Sequence, residues 1–200
     1  GFHEAVAFDG SPLMKPKRTR TMARQVYAFA VAGARGWDGP AGDLIALGIE
    51  FLTRNGRTDR GGWVRTLNVD GSVADPTEDA YDHSCVLLAL AHAHLCGNPD
   101  ALGLGAETFA FLDEHLQDRR LTGFFDNGNG ELGRRCSNPH MHLLEAFLAW
   151  HHATGDPEHL WRAGRIVELF KSRFFDADTW TLGEFFDEDW LPEAGEAGFW

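Results

Sequence analysis

Asn138-Pro139-His140-Met141-His142-Leu143-Leu144-Glu145-Ala146 puts an amide, an imidazole and a carboxylate on one face of a predicted helix. At about 100° per residue, Asn138, His142 and Glu145 fall within roughly 60° of one another. Other positions of the same helix, Leu144, Phe147 and Leu148, are apolar. Two readings fit this stripe. It faces a ligand, or Asn138 caps the helix with Pro139 at its first position and His142 is a satisfied core histidine.

Working outward, the chain repeats. Gly1-Phe2-His3-Glu4 runs to Asp9-Gly10, and Gly62-Trp63-Val64-Arg65 runs to Asp70-Gly71, each a ten-residue segment that opens on Gly-aromatic and closes on Asp-Gly. Gly123-Phe124-Phe125-Asp126 follows 61 residues after Gly62, and Gly183-Glu184-Phe185-Phe186-Asp187 follows 60 after that. Between these strand-like pieces, hydrophobic periodicity predicts helix pairs at about 20–35 and 42–55, 77–95 and 99–117, and 139–153 and 157–174. The turns Gly97-Asn98-Pro99-Asp100 and Gly155-Asp156-Pro157-Glu158 match, with each Pro suited to a first helical turn and Asn98 or Asp156 as its cap. A period near 60 built from helix, turn, helix and a short β-piece is the signature of a helical array.

The period assigns equivalent positions. Counting 57 back from Asn138 reaches Tyr81, and 57 again reaches Arg24. A closed ring of helix pairs would aim all three at a central cavity, where Arg, Tyr and Asn suit hydroxyls and ring oxygens. The structural alternative pairs Arg24 with an acid, packs Tyr81 in the core and uses Asn138 as a cap.

Composition narrows the class. Hydrophobic residues make up 44% of the chain, and seven Trp with fifteen Phe supply material for a core. A net charge of −12 without a dense basic stripe argues against nucleic acid as a partner. The one basic cluster, Lys15-Pro16-Lys17-Arg18-Thr19-Arg20, reads as a solvated helix entry or as a phosphate contact. No apolar run reaches the ~20 residues of a bilayer span, so no membrane partner is expected. Cys85, Cys96 and Cys136 read as reduced thiols of a cytoplasmic protein. His92/His94 and His140/His142 are each two apart, about 200° around a helix, and cannot share an ion; no metal site is expected. Gly128-Asn129-Gly130 reads as a turn without a phosphate-loop Lys, and no Gly-x-Ser-x-Gly elbow occurs.

Arg24-Gln25-x-Tyr27-x-Phe29, Gly61-Gly62-Trp63, Asp79-Ala80-Tyr81-Asp82-His83 and above all the Asn-Pro-His-Met-His-x-x-Glu segment resemble the N-acylglucosamine 2-epimerase superfamily. The likeness runs from about Phe2 to Trp190, and the form of the segment looks closer to bacterial mannose isomerase-like members than to the N-acylglucosamine epimerases. The resemblance implies an all-α (α/α)6 barrel, represented here by about three helix pairs with short β-hairpin pieces. It implies a sugar site lined by Arg24, Tyr81, Asn138 and His142, with Glu145 binding substrate or bracing the helix. Arg24 and His142 are the expected catalytic residues, and Tyr81, Asn138 and Glu145 the expected substrate-binding ones. Six units of ~60 residues need more chain than 200 residues. Residues 1–200 are therefore expected to form a partial barrel domain truncated at both ends, inactive alone, with the family's principal acid/base histidines beyond Trp200.

The implied reaction is aldose–ketose isomerisation or C2 epimerisation, by removal of a proton next to a carbonyl. Histidine suits such transfers because its ordinary pKa is about 6.5, and Arg24 would sit beside the developing enediolate oxygen. No cofactor is expected. The expected partners are a mono- or disaccharide substrate and, as an option, a second copy in a homodimer. Two alternatives stay open: a glycoside hydrolase or lyase on the same toroid, which needs two facing carboxylates among Glu78, Asp79, Asp82 and Glu145, and a non-catalytic helical-repeat binding module.

Overall fold

The computed structural model describes residues 1–127 and 135–193. The predicted turn at Gly128-Asn129-Gly130 lies outside the described residues. Among the described residues six helices carry the fold: α1 (Thr19–Ala34), α2 (Ala41–Asn55), α3 (Ala80–Leu95), α4 (Ala101–Phe111), α5 (Ser137–Thr154) and α6 (Pro157–Leu169). They lie within a few residues of the predicted pairs. α4 and α6 each widen into a π-helical turn, Leu112–Leu116 and Phe170–Phe174, which accounts for the longer predicted spans.

The helices form two rows. α3 packs between α1 and α5, and α2, α4 and α6 each pack against the helix before them. α3 is buried over most of its length, from Ala80 through Ala93. Its run Cys85-Val86-Leu87-Leu88-Ala89-Leu90-Ala91 has no polar face, as expected of a helix covered on all sides. Two indoles add cross-links: Trp63, in the segment between α2 and α3, donates to the Thr108 hydroxyl of α4 (3.0 Å), and Trp150 of α5 donates to the Leu87 carbonyl of α3 (2.8 Å).

Short strands fix where the first row begins. β1 (Ala5–Val6) pairs with β2 (Pro12–Leu13), and β3 (Lys17–Arg18) with β4 (Thr66–Leu67), which pairs in turn with β5 (Val73–Asp75). β6 (Arg135–Cys136) pairs antiparallel with β9 (Phe185–Phe186), while β7 (Phe175–Asp176) pairs with β8 (Thr181–Leu182). The first N–H groups of α1, α3 and α5 donate to the carbonyls of Arg65, Asp126 and Glu184, each at 2.9 Å. Those acceptors are 61 and 58 residues apart, so the repeat is built into the hydrogen bonds that start each inner helix.

One cap differs from expectation. Asp156 caps α6 as predicted, accepting from the Glu158 N–H (2.9 Å) ahead of Pro157. Asn98 does not cap α4: its side chain accepts from the Asp100 N–H (3.1 Å), closing a turn, and the helix starts at Ala101. Both side chains accept from an N–H two residues ahead, but α4 begins two residues further on, so the Asn98 bond closes a turn ahead of the helix and does not serve its first turn.

Candidate active site

Because Thr19, Ala80 and Ser137 open α1, α3 and α5, the second residues are Arg20, Tyr81 and Asn138, and the sixth are Arg24, Cys85 and His142. The fixed 57-residue count therefore mis-phased the first unit: Thr19 and Ala80 are 61 apart, Ala80 and Ser137 only 57. Four residues is close to one helical turn, so Arg24 keeps the same helix face, one turn along from its predicted place.

The side chains meet across the three helices. The Arg24 guanidinium carbon lies 5.4 Å from the Tyr81 ring centroid. The Tyr81 and His142 rings are 4.9 Å apart at 42°. His142 Nδ1 in turn faces Glu145 Oε2 at 3.4 Å, one turn along α5. Arg24, Tyr81, His142 and Glu145 thus form one continuous array. Asn138 stands one turn before His142 on the same helix, half-buried and without a side-chain hydrogen bond among the described residues. It is not the helix cap, since Cys136 holds that position. The two alternative roles suggested for Asn138 and His142 are not the ones they take: His142 is 27% exposed rather than buried in the core.

Charge at the array is set by close neighbours. Burial alone would lower the Arg24 pKa, but the Cys85 thiol, the Tyr81 hydroxyl and the Glu145 carboxylate more than offset it and hold it above the usual arginine value. Burial pushes the Cys85 thiol up to about 11, against the opposing pull of Arg24. The array is thus a fixed cation, a phenol, an imidazole and a half-exposed carboxylate, beside a protonated thiol.

A second set of residues, missed as a group by sequence reasoning, braces this array from within. His83 and His140 are both the fourth residue of their helices and both fully buried. His83 Nδ1 lies 2.7 Å from the Asp79 carbonyl, and its Nε2 accepts from the Trp63 N–H (3.1 Å). His140 repeats this with the Cys136 carbonyl (2.9 Å) and the Phe124 N–H (2.9 Å). A ring nitrogen that accepts a backbone N–H carries no proton, so each imidazole is the neutral Nδ1–H tautomer. Burial lowers both pKa values, that of His140 to about 4. Each histidine thus clamps a Gly-aromatic piece onto the start of an inner helix. Their 57-residue spacing, equal to that of Tyr81 and Asn138, was the signal available in the sequence.

Most candidate carboxylates are engaged in structure. Glu78 is buried, accepting from Thr58 Oγ1 (2.6 Å) and paired with Arg60. Asp79 caps α3 through the Asp82 N–H (2.6 Å) and pairs with Arg65 (2.8 Å). Asp82 is buried against the Arg20 N–H (3.0 Å). Of the four acids named from the sequence, only Glu145 is exposed at the array. The array itself lies on an open face. A concavity of about 780 Å³ lies elsewhere and is lined by Asp113, Asp118, Trp161 and Arg162 among others. An open array with guanidinium charge, hydrogen-bonding groups and an imidazole can hold hydroxylated molecules, stabilise an oxyanion and exchange a proton.

The family model described as N-acylglucosamine 2-epimerase (GlcNAc 2-epimerase) matches residues 1–198. The chain is 35% identical over 209 aligned residues to a mannose-6-phosphate isomerase of Rhizobium meliloti (strain 1021), covering 99% of this chain and 52% of that protein. It is 33% identical to a D-mannose isomerase of Thermobifida fusca, covering 94% of this chain and 48% of that one. The structure of cellobiose 2-epimerase from Spirochaeta thermophila DSM 6192 superposes with a TM-score of 0.86 at 25% identity, over 96% of this chain and 52% of that one. The two helical rows are thus those of an α/α toroid. The chain spans about half the length of these relatives.

Proposed function

The chain belongs to the N-acylglucosamine 2-epimerase family, and we propose from that premise that it carries part of the site of a sugar isomerase or epimerase. The substrate is an aldose such as mannose, interconverted with its ketose or its C2 epimer. The observation that carries this reading is the unbroken contact series from Arg24 through Tyr81 and His142 to Glu145 across three successive inner helices. Because the relatives are about twice as long, the proposal is for a protein in which further helix pairs face this array and complete the toroid.

In this mechanism a base removes the C2 proton of the open-chain aldose. The C–H electron pair forms the C1=C2 bond while the carbonyl electrons move onto O1, giving an enediolate. Return of a proton to C1, with transfer of the O2 proton to O1, gives the ketose; its return to the opposite face of C2, with the O1 electrons re-forming the carbonyl, gives the epimer. Arg24 places a fixed positive charge beside the oxygen that becomes anionic. Tyr81 and Asn138 hold hydroxyls, and His142, steadied by Glu145, assists ring opening by exchanging a proton with the ring oxygen or O1. Engagement of Glu78, Asp79 and Asp82 within the structure gives no support to a two-carboxylate hydrolase.

The test is turnover of the full-length protein on a panel of aldoses in deuterium oxide. Product ketose or epimer carrying solvent deuterium at C1 or C2 is expected. Arg24→Ala should lower kcat by roughly 10²–10³, the usual cost of deleting one oxyanion partner, with an unchanged melting temperature. Failure to convert any aldose, or near-normal turnover by Arg24→Ala, refutes the reading.

A further inference from the structure

The geometry points to Arg20 as a further substrate-binding residue, one that with Arg24 suits the site to a phosphate-bearing aldose. This rests on the sugar-converting reading above. By helix register Arg20, and not Arg24, is the counterpart of Tyr81 and Asn138. Its guanidinium carbon lies 5.3 Å from the Tyr81 ring centroid, matching the 5.4 Å of Arg24. Two planar cations therefore reach one phenol at the same array, in a chain whose net charge is −12.

The basic cluster at Lys15–Arg20 sorts itself in three dimensions. Lys17 is buried with its ammonium over the Phe51 ring (4.6 Å), and Arg18 is paired with Glu4 (2.5 Å). Arg20 turns instead towards Tyr81, with about a quarter of its side chain exposed. It is anchored through its backbone, whose N–H donates to Asp82 Oδ1 at 3.0 Å, which leaves the guanidinium to face the array.

Asp82 neutralises Arg20 poorly. Their side chains approach only to 3.9 Å, and Asp82 Oδ2 is buried without a hydrogen-bond partner. Burial, then repulsion from Asp79, raises the Asp82 pKa to about 8 and outweighs the attraction of Arg20, so the protonated acid prevails at neutral pH. The other acid at the array, Glu145, is half exposed and turned to His142. The pair Arg20 and Arg24 is left with an excess of positive charge. Guanidinium groups match phosphate oxygens with paired N–H donors, which a neutral hydroxyl cannot reciprocate.

The test is calorimetric titration of the full-length protein with mannose 6-phosphate, mannose and inorganic phosphate. Mannose 6-phosphate is expected to bind at least tenfold tighter than mannose or phosphate alone. Arg20→Ala should weaken mannose 6-phosphate at least tenfold more than it weakens mannose, with Arg20→Lys intermediate. Equal affinity for mannose and its phosphate overturns the proposal, as does an equal loss for both in Arg20→Ala, which would make Arg20 only a support for Tyr81. Turnover assays separate the two readings. Conversion of mannose without preference for the phosphate leaves the isomerase reading standing and this one fallen. Arg20-dependent phosphate-sugar binding without any turnover does the reverse.

Discussion

Replacing His140 by alanine tests the claim that one histidine of the Asn-Pro-His-Met-His segment is structural while its neighbour two residues on is chemical. The imidazole bridges the Phe124 N–H and the Cys136 carbonyl, both at 2.9 Å, and packs among the rings of Phe124, Phe174 and Trp190. Alanine leaves the buried Phe124 N–H without the His140 acceptor, removes one bond to the Cys136 carbonyl and opens a ring-sized cavity. Together these should cost about 4–6 kcal/mol at pH 7.5. The pH dependence makes the prediction specific. Burial holds the His140 pKa down at about 4; the Cys136 carbonyl pulls the other way and the Arg135 cation adds to the depression. Unfolded histidine titrates near 6.5, so between pH 4 and 6.5 the unfolded chain binds a proton that the folded chain does not. The stability contributed by neutral His140 is complete above pH 6.5 and is lost as pH falls towards 4, by about 3 kcal/mol in all. Alanine cannot titrate, so the gap between wild type and variant should narrow by about 2 kcal/mol from pH 7.5 to pH 5. Urea unfolding followed by tryptophan fluorescence at both pH values measures this. A loss below about 1.5 kcal/mol at pH 7.5, or a gap that stays constant with pH, would refute the reasoning.

Gly123→Ala should destabilise by about 2 kcal/mol or more, because Gly123 has φ +110° and an added Cβ would lie 2.8 Å from Trp190 and 2.9 Å from His140 Nε2. Gly97→Ala, at φ +82° in open space, is the control and should lower the melting temperature less. Asp82→Asn should stabilise the chain at pH 8 relative to pH 5. The folded Asp82 pKa is raised to about 8, so the native state holds a proton the unfolded state has lost, and wild-type stability falls as pH rises between about 4 and 8. An asparagine variant whose advantage over wild type does not grow with pH would count against a neutral Asp82.

The sequence by itself determined the architecture. Hydrophobic periodicity placed six helices, and the Gly-aromatic and Asp-Gly markers placed the hairpins between them, because both are local signals set by side-chain direction and turn chemistry. The Asp9-Gly10-Ser11 and Asp70-Gly71-Ser72 turns show this well: in each the Asp carboxylate accepts from the Ser N–H at 2.9 Å. The Asn138–Ala146 segment likewise brought His142 and Glu145 into view, and counting the repeat back from it reached Tyr81 and Arg24. Only the tertiary structure decided the register and the division of labour. The carbonyls of Arg65, Asp126 and Glu184, distant in sequence, fix the residue at which each inner helix starts, and so Arg20 rather than Arg24 aligns with Tyr81 and Asn138. His140 and His142 carry identical rings two positions apart, and periodicity says only that they point in opposite directions. Which one enters the core depends on a backbone N–H from Phe124, sixteen residues earlier, that must be satisfied once it is buried.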